Sequence, residues 1–373
     1  MKTSEYLRVD RDSPMPLEVQ LTEQLRWLIA RGQIKTGEKL PPVRQLADDL
    51  GINMHTVRAA YRRLVAAGLV ESRPGVGTTV LEYDVERVLS SVADIPSFTI
   101  GVVVPSLEEF YTPMLDAIED ALEDEPTMLV VCNTREDTAK AAWFVDQLVA
   151  RGTDGIILIA QDLHDHSGAP IPRIPGFPPI VVVDWHSAPD PVVLFDMEQA
   201  GYQATAHLID HGHERIGIIT PPVLANVAPT YSGIDRALTD ASLTLESEYV
   251  AHVPDWTTQS GIEGAAQLLG LGPPPTAILA LGDLLAIGVI QAAKSRGLTV
   301  PTDVALASIG DIAVAQHLDP ALTTVRQDAA AAGTTATRML SRLIANEPLD
   351  NTRITLPTQL ITRHSCGCPT QAV

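Results

Sequence analysis

Three groups of residues in this 373-residue chain have types and spacings that could do chemistry. The first is a set of guanidinium, imidazole and hydroxyl donors near the start, Arg44, His55, Thr56, Arg58 and Arg62, followed by Gly75 and Gly77. Guanidinium groups neutralise phosphates or read guanine edges bidentately, each good pair contributing about 1–3 kcal/mol of discrimination. The second is a series of carboxylates beside aromatic rings: Phe110 and Tyr111 after Glu109, Asp184-Trp185-His186, Asp196, Asp255-Trp256, Asp283 and Asp311. Rings stack on the C–H faces of a sugar and ionised carboxylates accept hydrogen bonds from its hydroxyls, although the same set suits a nucleoside or a cation. The third is His364-x-Cys366-x-Cys368, whose spacing is not that of the usual structural zinc sites, so neither a metal nor a cofactor is expected. No Ser-His-Asp spacing or phosphate loop is apparent, which argues against an enzyme.

The donors of the first group need a scaffold, and the sequence around them supplies one. Leu17, Leu21, Leu25, Trp27, Leu28 and Ile29 predict a first amphipathic helix opened by Pro16. Val43, Leu46, Ala47 and Leu50 form one face of a short helix ended by Gly51, and Met54, Val57, Ala60, Tyr61 and Leu64 form the stripe of another. Arg58, Arg62 and Arg63 leave that stripe and face outward. Two short helices joined by a glycine turn are the helix-turn-helix plan, in which the second helix enters a DNA major groove. Leu69–Arg73 and Thr78–Val80 around Pro74-Gly75-Val76-Gly77 predict a hairpin wing. Ion pairing of Arg44, Arg62 and Arg63 with Asp48, Asp49 or Glu71 is the competing use of these charges.

Residues 16–80 closely resemble the winged helix-turn-helix of GntR-type bacterial regulators. The resemblance rests on Pro14-Met15-Pro16-Leu17, Gly37-Glu38-Lys39-Leu40-Pro41, Leu46-Ala47, Thr56-Val57-Arg58, Tyr61, Gly68-Leu69-Val70 and Gly75-x-Gly77-Thr78. It implies that Arg44, His55, Thr56, Arg58 and the wing glycine Gly75 or Gly77 meet DNA. Met54 departs from the polar residue or proline often found there.

Charge is divided along the chain in the same way. Residues 1–80 carry 12 Lys+Arg against 9 Asp+Glu, and the rest carries 14 against 37, so a net charge of −20 hides a head at +3 and a body at −23. An acidic body limits non-specific adhesion to nucleic acid. Three cysteines make no disulfide framework and suit a reducing cytoplasm. No apolar run approaches the roughly 18 residues of a membrane span, and no export signal is apparent.

The carboxylate–aromatic group needs a different scaffold. After a polar connecting segment, 81–97, the chain alternates apolar strands with amphipathic helices. Strands are expected at Ile100–Val104, Met128–Val131, Gly155–Ile159, Ile180–Val183, Val192–Phe195, Ile216–Ile219, near Val250–Val253, and at Ala277–Ala280 and Val304–Ile309. Helices are expected at Tyr111–Glu123, Thr138–Ala150, Glu198–His211, Ser260–Gly270 and Leu284–Ser295. Alternation of this kind builds parallel sheets covered by helices, with ligands beyond the carboxyl ends of the strands. The proline-rich run 169–179 is expected as a surface loop, and Trp143 as a core residue on a helix stripe.

This body is similar over its length to the effector-binding domain of LacI/GalR-type regulators, a relative of periplasmic sugar-binding proteins. The similarity is carried by Ile100-Gly101-Val102-Val103-Val104-Pro105, Arg151-Gly152-x-Asp154-Gly155-Ile156-Ile157, His207-Leu208-x-x-x-Gly212-His213-x-Arg215-Ile216, Gly282-Asp283-Leu284-x-Ala286-x-Gly288, Gly297-Leu298-x-Val300-Pro301-x-Asp303-Val304 and Leu318-Asp319-Pro320-x-Leu322-Thr323-Thr324-Val325. A GntR-type head on such a body resembles the arabinose repressors. The expected fold class is therefore α/β, with a winged helix-turn-helix domain over residues 1–80, a linker over 81–97 and a two-lobed domain with parallel sheets over 98–373. The resemblance implies a cytoplasmic, homodimeric transcription regulator, a repressor whose partners are operator DNA and a small-molecule effector. The effector residues are expected among Phe110, Tyr111, Trp185, Asp196, Trp256, Asp283 and Asp311. Two departures bear on the effector: the family's cleft arginine is Thr230 here, and the first acid of its Asp-Asp pair is Gly310. Loss of the arginine removes the obvious partner for a carboxylate or phosphate, which favours an uncharged sugar over an anion. Corepression, a nucleoside effector, or a sugar receptor that does not regulate through DNA are the alternatives.

Overall fold

The computed structural model describes residues 7, 9, 11, 16–30, 34–73, 75, 77–82, 97–123, 127–160, 178–188, 191–221 and 227–368. The connecting segment and the proline-rich run fall almost wholly outside these residues. The chain divides into two compact units, residues 1–106 with 119–182 and 336–350, and residues 107–118 with 183–335 and 351–373.

The head consists of α1 (Leu17–Ala30), α2 (Val43–Leu50), α3 (Met54–Ala66), β1 (Val70–Arg73) and β2 (Gly77–Val80). Gly51 ends α2 in the left-handed conformation, and its N–H returns to the carbonyls of Ala47 and Asp48. Asn53 caps α3 by accepting from the His55 N–H at 2.8 Å. β1 and β2 pair antiparallel from Val70↔Val80 to Arg73↔Gly77, and Lys39 bridges Thr79 on the far side of β2. The apolar stripes meet in one core that includes Leu21, Leu25, Leu46, Val57, Leu64 and Leu69. The Tyr61 hydroxyl donates to the Pro41 carbonyl at 2.7 Å, tying α3 to the entry of α2.

The first sheet holds β3 (Thr99–Val104), β4 (Met128–Asn133), β5 (Gly155–Ile159), β6 (Ile180–Val183), β7 (Val192–Phe195) and β13 (Arg353–Leu356) in the order β13-β7-β6-β5-β3-β4. The second holds β8 (Ile216–Thr220), β9 (Val250–His252), β10 (Ala277–Ala280), β11 (Ala305–Gly310), β12 (Thr323–Gln327) and β14 (Thr358–Ile361) in the order β14-β12-β11-β10-β8-β9. Within this sheet only β14 runs antiparallel, against β12. The sequences GIILI and VVLF of β5 and β7 are buried throughout, the pattern of parallel strands covered on both faces. The order reverses between β8 and β10, the kind of switch point beyond whose strand ends ligands sit in open α/β sheets.

The helices of the body are α4 (Thr112–Asp120), α5 (Thr138–Ala150), α6 (Met197–Asp210), α7 (Ala228–Asp240), α8 (Thr258–Leu268), α9 (Asp283–Ser295) and α10 (Ala329–Ile344). α1 packs against α5 as well as α3. Its Gln20 and Gln24 are buried. α6 and α7 touch backbone to backbone, because a Cβ on Gly233 would lie 1.9 Å from the Glu198 carbonyl oxygen. α8 and α9 do the same, with a Cβ on Gly288 placed 2.3 Å from that of Thr258. Trp143 corrects an expectation: α5 buries Ala141, Ala142, Val145, Leu148 and Val149, and Trp143 turns off that stripe and is 48 % exposed.

Candidate nucleic-acid interface and effector site

His55, Arg58 and Arg62 follow one another on α3 at spacings of three and four, and all are exposed. Thr56 is half-buried beside them. Arg44 is exposed in the first turn of α2, which opens at Pro42 with no side chain capping it. Orphan N–H groups and a guanidinium at one helix start form a ready phosphate site. Gly75 and Gly77 are exposed at the wing tip with φ of +74° and +113°. Among the described residues none of Arg44, Arg58 and Arg62 holds an ion pair. Glu71, one of the acids that could have taken them, is paired with Arg73 at 2.9 Å instead. Arg63 differs, since it lies close enough to Glu23 to act on its carboxyl.

The carboxylate–aromatic residues sort into two clusters. The first surrounds the carboxyl ends of β6 and β7. Phe110 meets Tyr111 edge-on at 5.1 Å and the buried Phe195 at 6.4 Å. Asp196 follows Phe195 and caps α6, one oxygen accepting from the Gln199 N–H at 3.0 Å. Burial holds the His186 imidazole below its ordinary value, reinforced by the nearby Arg353 and opposed by Asp196. Asp184 sits in a left-handed conformation at φ +56°, and burial pushes its carboxyl up to about 7. Trp185 Nε1 and His186 Nε2 are both buried and have no hydrogen-bond partner among the described residues. Buried donors of this kind are costly unless something accepts from them.

The second cluster lies at the ends of β10, β11 and β12. Trp256 packs partly buried against both core clusters of its unit, and its ring covers Gly282. Its neighbour Asp255 is consumed locally, its carboxylate held low by hydrogen bonds from Ser260 and Thr257. Asp283 is turned inward and 3 % exposed; it accepts from Ser308, from Thr324 at 2.8 Å and from the Ile312 N–H at 2.8 Å. With its carboxylate occupied in this way it ties β11 and β12 to the start of α9 and offers no free oxygen to an effector. Nor is it the cap of α9, a position held by Gly282. Burial still raises its carboxyl. The same feature explains Gly310, since a Cβ there would lie 2.7 Å from Asp283 Oδ2.

Asp311 is clamped between Arg326 Nε and Arg363 Nη2, each at 2.7 Å. The two clusters are linked inside one unit by Glu109, which accepts from the Val314 N–H at 3.0 Å, and by Phe110, which packs on the cluster containing Ile312. Arg326, Arg353, Arg363 and the buried Tyr231 hydroxyl beside Thr220 were not marked by sequence. The arginines sit in the weakly patterned C-terminal third, and Tyr231 adjoins the Thr230 that replaces the family's arginine. Thr230 itself is buried against Gly201.

Residues 17–80 match the family of bacterial regulatory proteins, gntR family, and residues 205–366 match a periplasmic binding protein-like domain. The chain is 28% identical over 289 residues to the HTH-type transcriptional repressor PurR of Mannheimia succiniciproducens, covering 76% of this chain and 86% of that protein. It is 28% identical over 332 residues to Catabolite control protein A of Priestia megaterium, covering 86% and 97%. Among solved structures, a LacI-family regulator of Sanguibacter keddieii aligns with a TM-score of 0.63 at 28% identity, over 73% of this chain and 99% of that one. A LacI-family regulator of Enterococcus faecium, solved with bound ribose, aligns with a TM-score of 0.62 at 25% identity, over 72% and 98%. These relatives are regulators and not enzymes. Among the described residues no helix is long and apolar enough to cross a membrane.

Proposed function

We propose that this chain, a DNA-binding transcriptional regulator joining a GntR-family head to a LacI-type body, acts as a cytoplasmic homodimeric repressor that an uncharged sugar releases from its operator. In this reading residues 1–80 read DNA, 81–97 connect, and 98–373 receive the effector and dimerise. The observation that carries it is the outward stripe of His55, Arg58 and Arg62 on α3, exposed and without an ion pair among the described residues. A head at +3 on a body at −23 binds DNA weakly alone, which favours two heads on a palindromic site. Met128 and Val131 on the edge strand β4, 61 % and 41 % exposed, are apolar surface of the kind a second copy covers.

For the effector, the unpartnered donors of Trp185 and His186 next to Phe110, Tyr111 and Asp196 suit hydroxyl acceptors and donors. Asp311 occupies Arg326 and Arg363, so these cations are not offered to an anion. The ribose bound to the Enterococcus faecium regulator supports the same ligand class. Release requires the sugar to favour the low-affinity arrangement, with a typical coupling of about 1–3 kcal/mol.

A gel-shift series with upstream DNA at moderate salt, repeated with sugars that raise the melting temperature of the protein, tests the proposal. Sequence-selective binding weakened about 5- to 150-fold by one sugar is expected. Binding without sequence preference overturns the regulatory role of the head, and a sugar that tightens binding makes the protein a corepressor-dependent regulator.

A further inference from the structure

The C-terminal turn carries a cluster that neither the DNA interface nor the effector site uses. His207 stands in the last turn of α6 and His211 is that helix's C-cap one turn on, and Cys366 and Cys368 stand on a turn after β14. Although some 155 residues separate the two pairs in sequence, one ligand atom from each of the four side chains lies within 4.8 Å of the other three. His207 Nε2 is 3.2 Å from Cys366 Sγ and 3.6 Å from Cys368 Sγ, and His211 Nε2 is 3.2 Å from Cys368 Sγ. A zinc ion at about 2.0–2.1 Å from nitrogen and about 2.3 Å from sulfur has tetrahedral N···S edges of about 3.5 Å. The observed separations straddle that edge.

We propose that His207, His211, Cys366 and Cys368 form a four-coordinate Zn²⁺ site that staples the C-terminal turn to α6. Thiols are weak donors, so hydrogen bonding among these groups alone satisfies them poorly, whereas one cation satisfies all four. Two thiolates and two imidazoles in a tetrahedron select zinc among the common divalent metals, and four protein ligands leave no open position, the mark of a structural site.

The surroundings are built for it. Gly367, at φ +89°, makes the turn that brings both cysteine side chains to one side. The Thr323 hydroxyl donates to Cys366 Sγ at 3.1 Å, a supporting contact of the sort that orients metal ligands. Ser365 anchors the same turn to the sheet, its hydroxyl accepting from the Thr323 N–H and donating to the Leu306 carbonyl. His364, which the His-x-Cys-x-Cys spacing singles out, is not one of the four. His211 is exposed and Cys368 half-buried, so the ion exchanges with solvent and can be removed by a chelator.

The test uses the full chain, stripped with a chelator under reducing conditions and titrated with ZnCl₂, then with CoCl₂ as a spectroscopic probe. One zinc per chain, a rise in melting temperature of about 5 °C or more at a hundredfold excess over the dissociation constant, and a cobalt spectrum with thiolate charge-transfer and tetrahedral d–d bands are expected. His211→Asn and Cys368→Ser, both at solvent-accessible positions, should fold and weaken zinc at least about tenfold. His364→Asn should leave zinc binding unchanged. Substoichiometric binding, an octahedral cobalt spectrum without thiolate bands, equal affinity in His211→Asn and Cys368→Ser, or loss of binding in His364→Asn overturns the assignment. A Cys366–Cys368 disulfide that persists in the purified protein under reducing conditions overturns it as well.

Discussion

Replacing Asp184 with asparagine should stabilise the protein, and only above the ordinary aspartate range. The folded protein holds the Asp184 carboxyl at about 7, against 3.8 for an ordinary aspartate, because burial disfavours its charged form. Between these values the unfolded chain has released the proton and the folded chain still binds it, so stability falls as pH rises. The contribution is fully present below the ordinary aspartate value and is lost as pH passes through 7. Each pH unit corresponds to about 1.36 kcal/mol, so the interval spans about 4 kcal/mol, and solvent reaching the partly open residue leaves about 2–4 kcal/mol. Asparagine has the same shape, carries no charge and tolerates the left-handed conformation at this position. Urea unfolding of both proteins from about pH 3 to about pH 8 should give a stability difference near zero at the acid end that widens to that size. Every other carboxylate is common to both proteins and cancels. A difference that is flat with pH, or an asparagine variant less stable at the alkaline end, refutes the reasoning.

Other outcomes follow from the same geometry. Arg58→Ala should weaken operator binding by about 1–3 kcal/mol and relax preference at one base pair, whereas Arg62→Ala should weaken all sequences alike and lower the salt slope by about 1, both read by fluorescence anisotropy across a salt series. Gly288→Ala forces a Cβ to 2.3 Å from the Thr258 carbonyl and should cost about 3 kcal/mol in urea unfolding, since backbone cannot move aside as a side chain can. Asp311→Ala strands Arg363, whose side chain is 16 % exposed, and should destabilise by about 2–3 kcal/mol in the same assay, less than a fully buried pair because Arg326 is 47 % exposed. Trp185→Phe keeps the ring and removes the unpartnered N–H, so calorimetry should show sugar binding about 2- to 12-fold weaker.

Much of the fold was legible because its strands are continuous apolar runs. Gly155–Ile159, Ile180–Val183, Val192–Phe195 and Ala277–Ala280 begin and end where the runs do, and Thr138–Ala150 matches its helical stripe to the residue. The elements that escaped notice lack such contrast: β12 reads TTVRQ, β13 and β14 are short and half-exposed, and α10 opens on four alanines in a row. The head was legible for a different reason, since its helices, glycine turn and wing are contiguous in the chain. Site residues were harder. Chain order placed Asp283 after β10, but only the fold shows Ser308, Thr324 and the Ile312 N–H closing around it from strands far along the sequence. The same distance hides Arg363 from Asp311, and His207 from Cys366.

α6 carries Asp196 at its first cap and His207 and His211 at its far end, about 20 Å apart along the axis. Glycine contact with α7 leaves it no slack in between. A helix packed this closely along its side resists local bending. The effector contact proposed at Asp196 and the zinc proposed at the histidine tip would thus bear on the two ends of one helix.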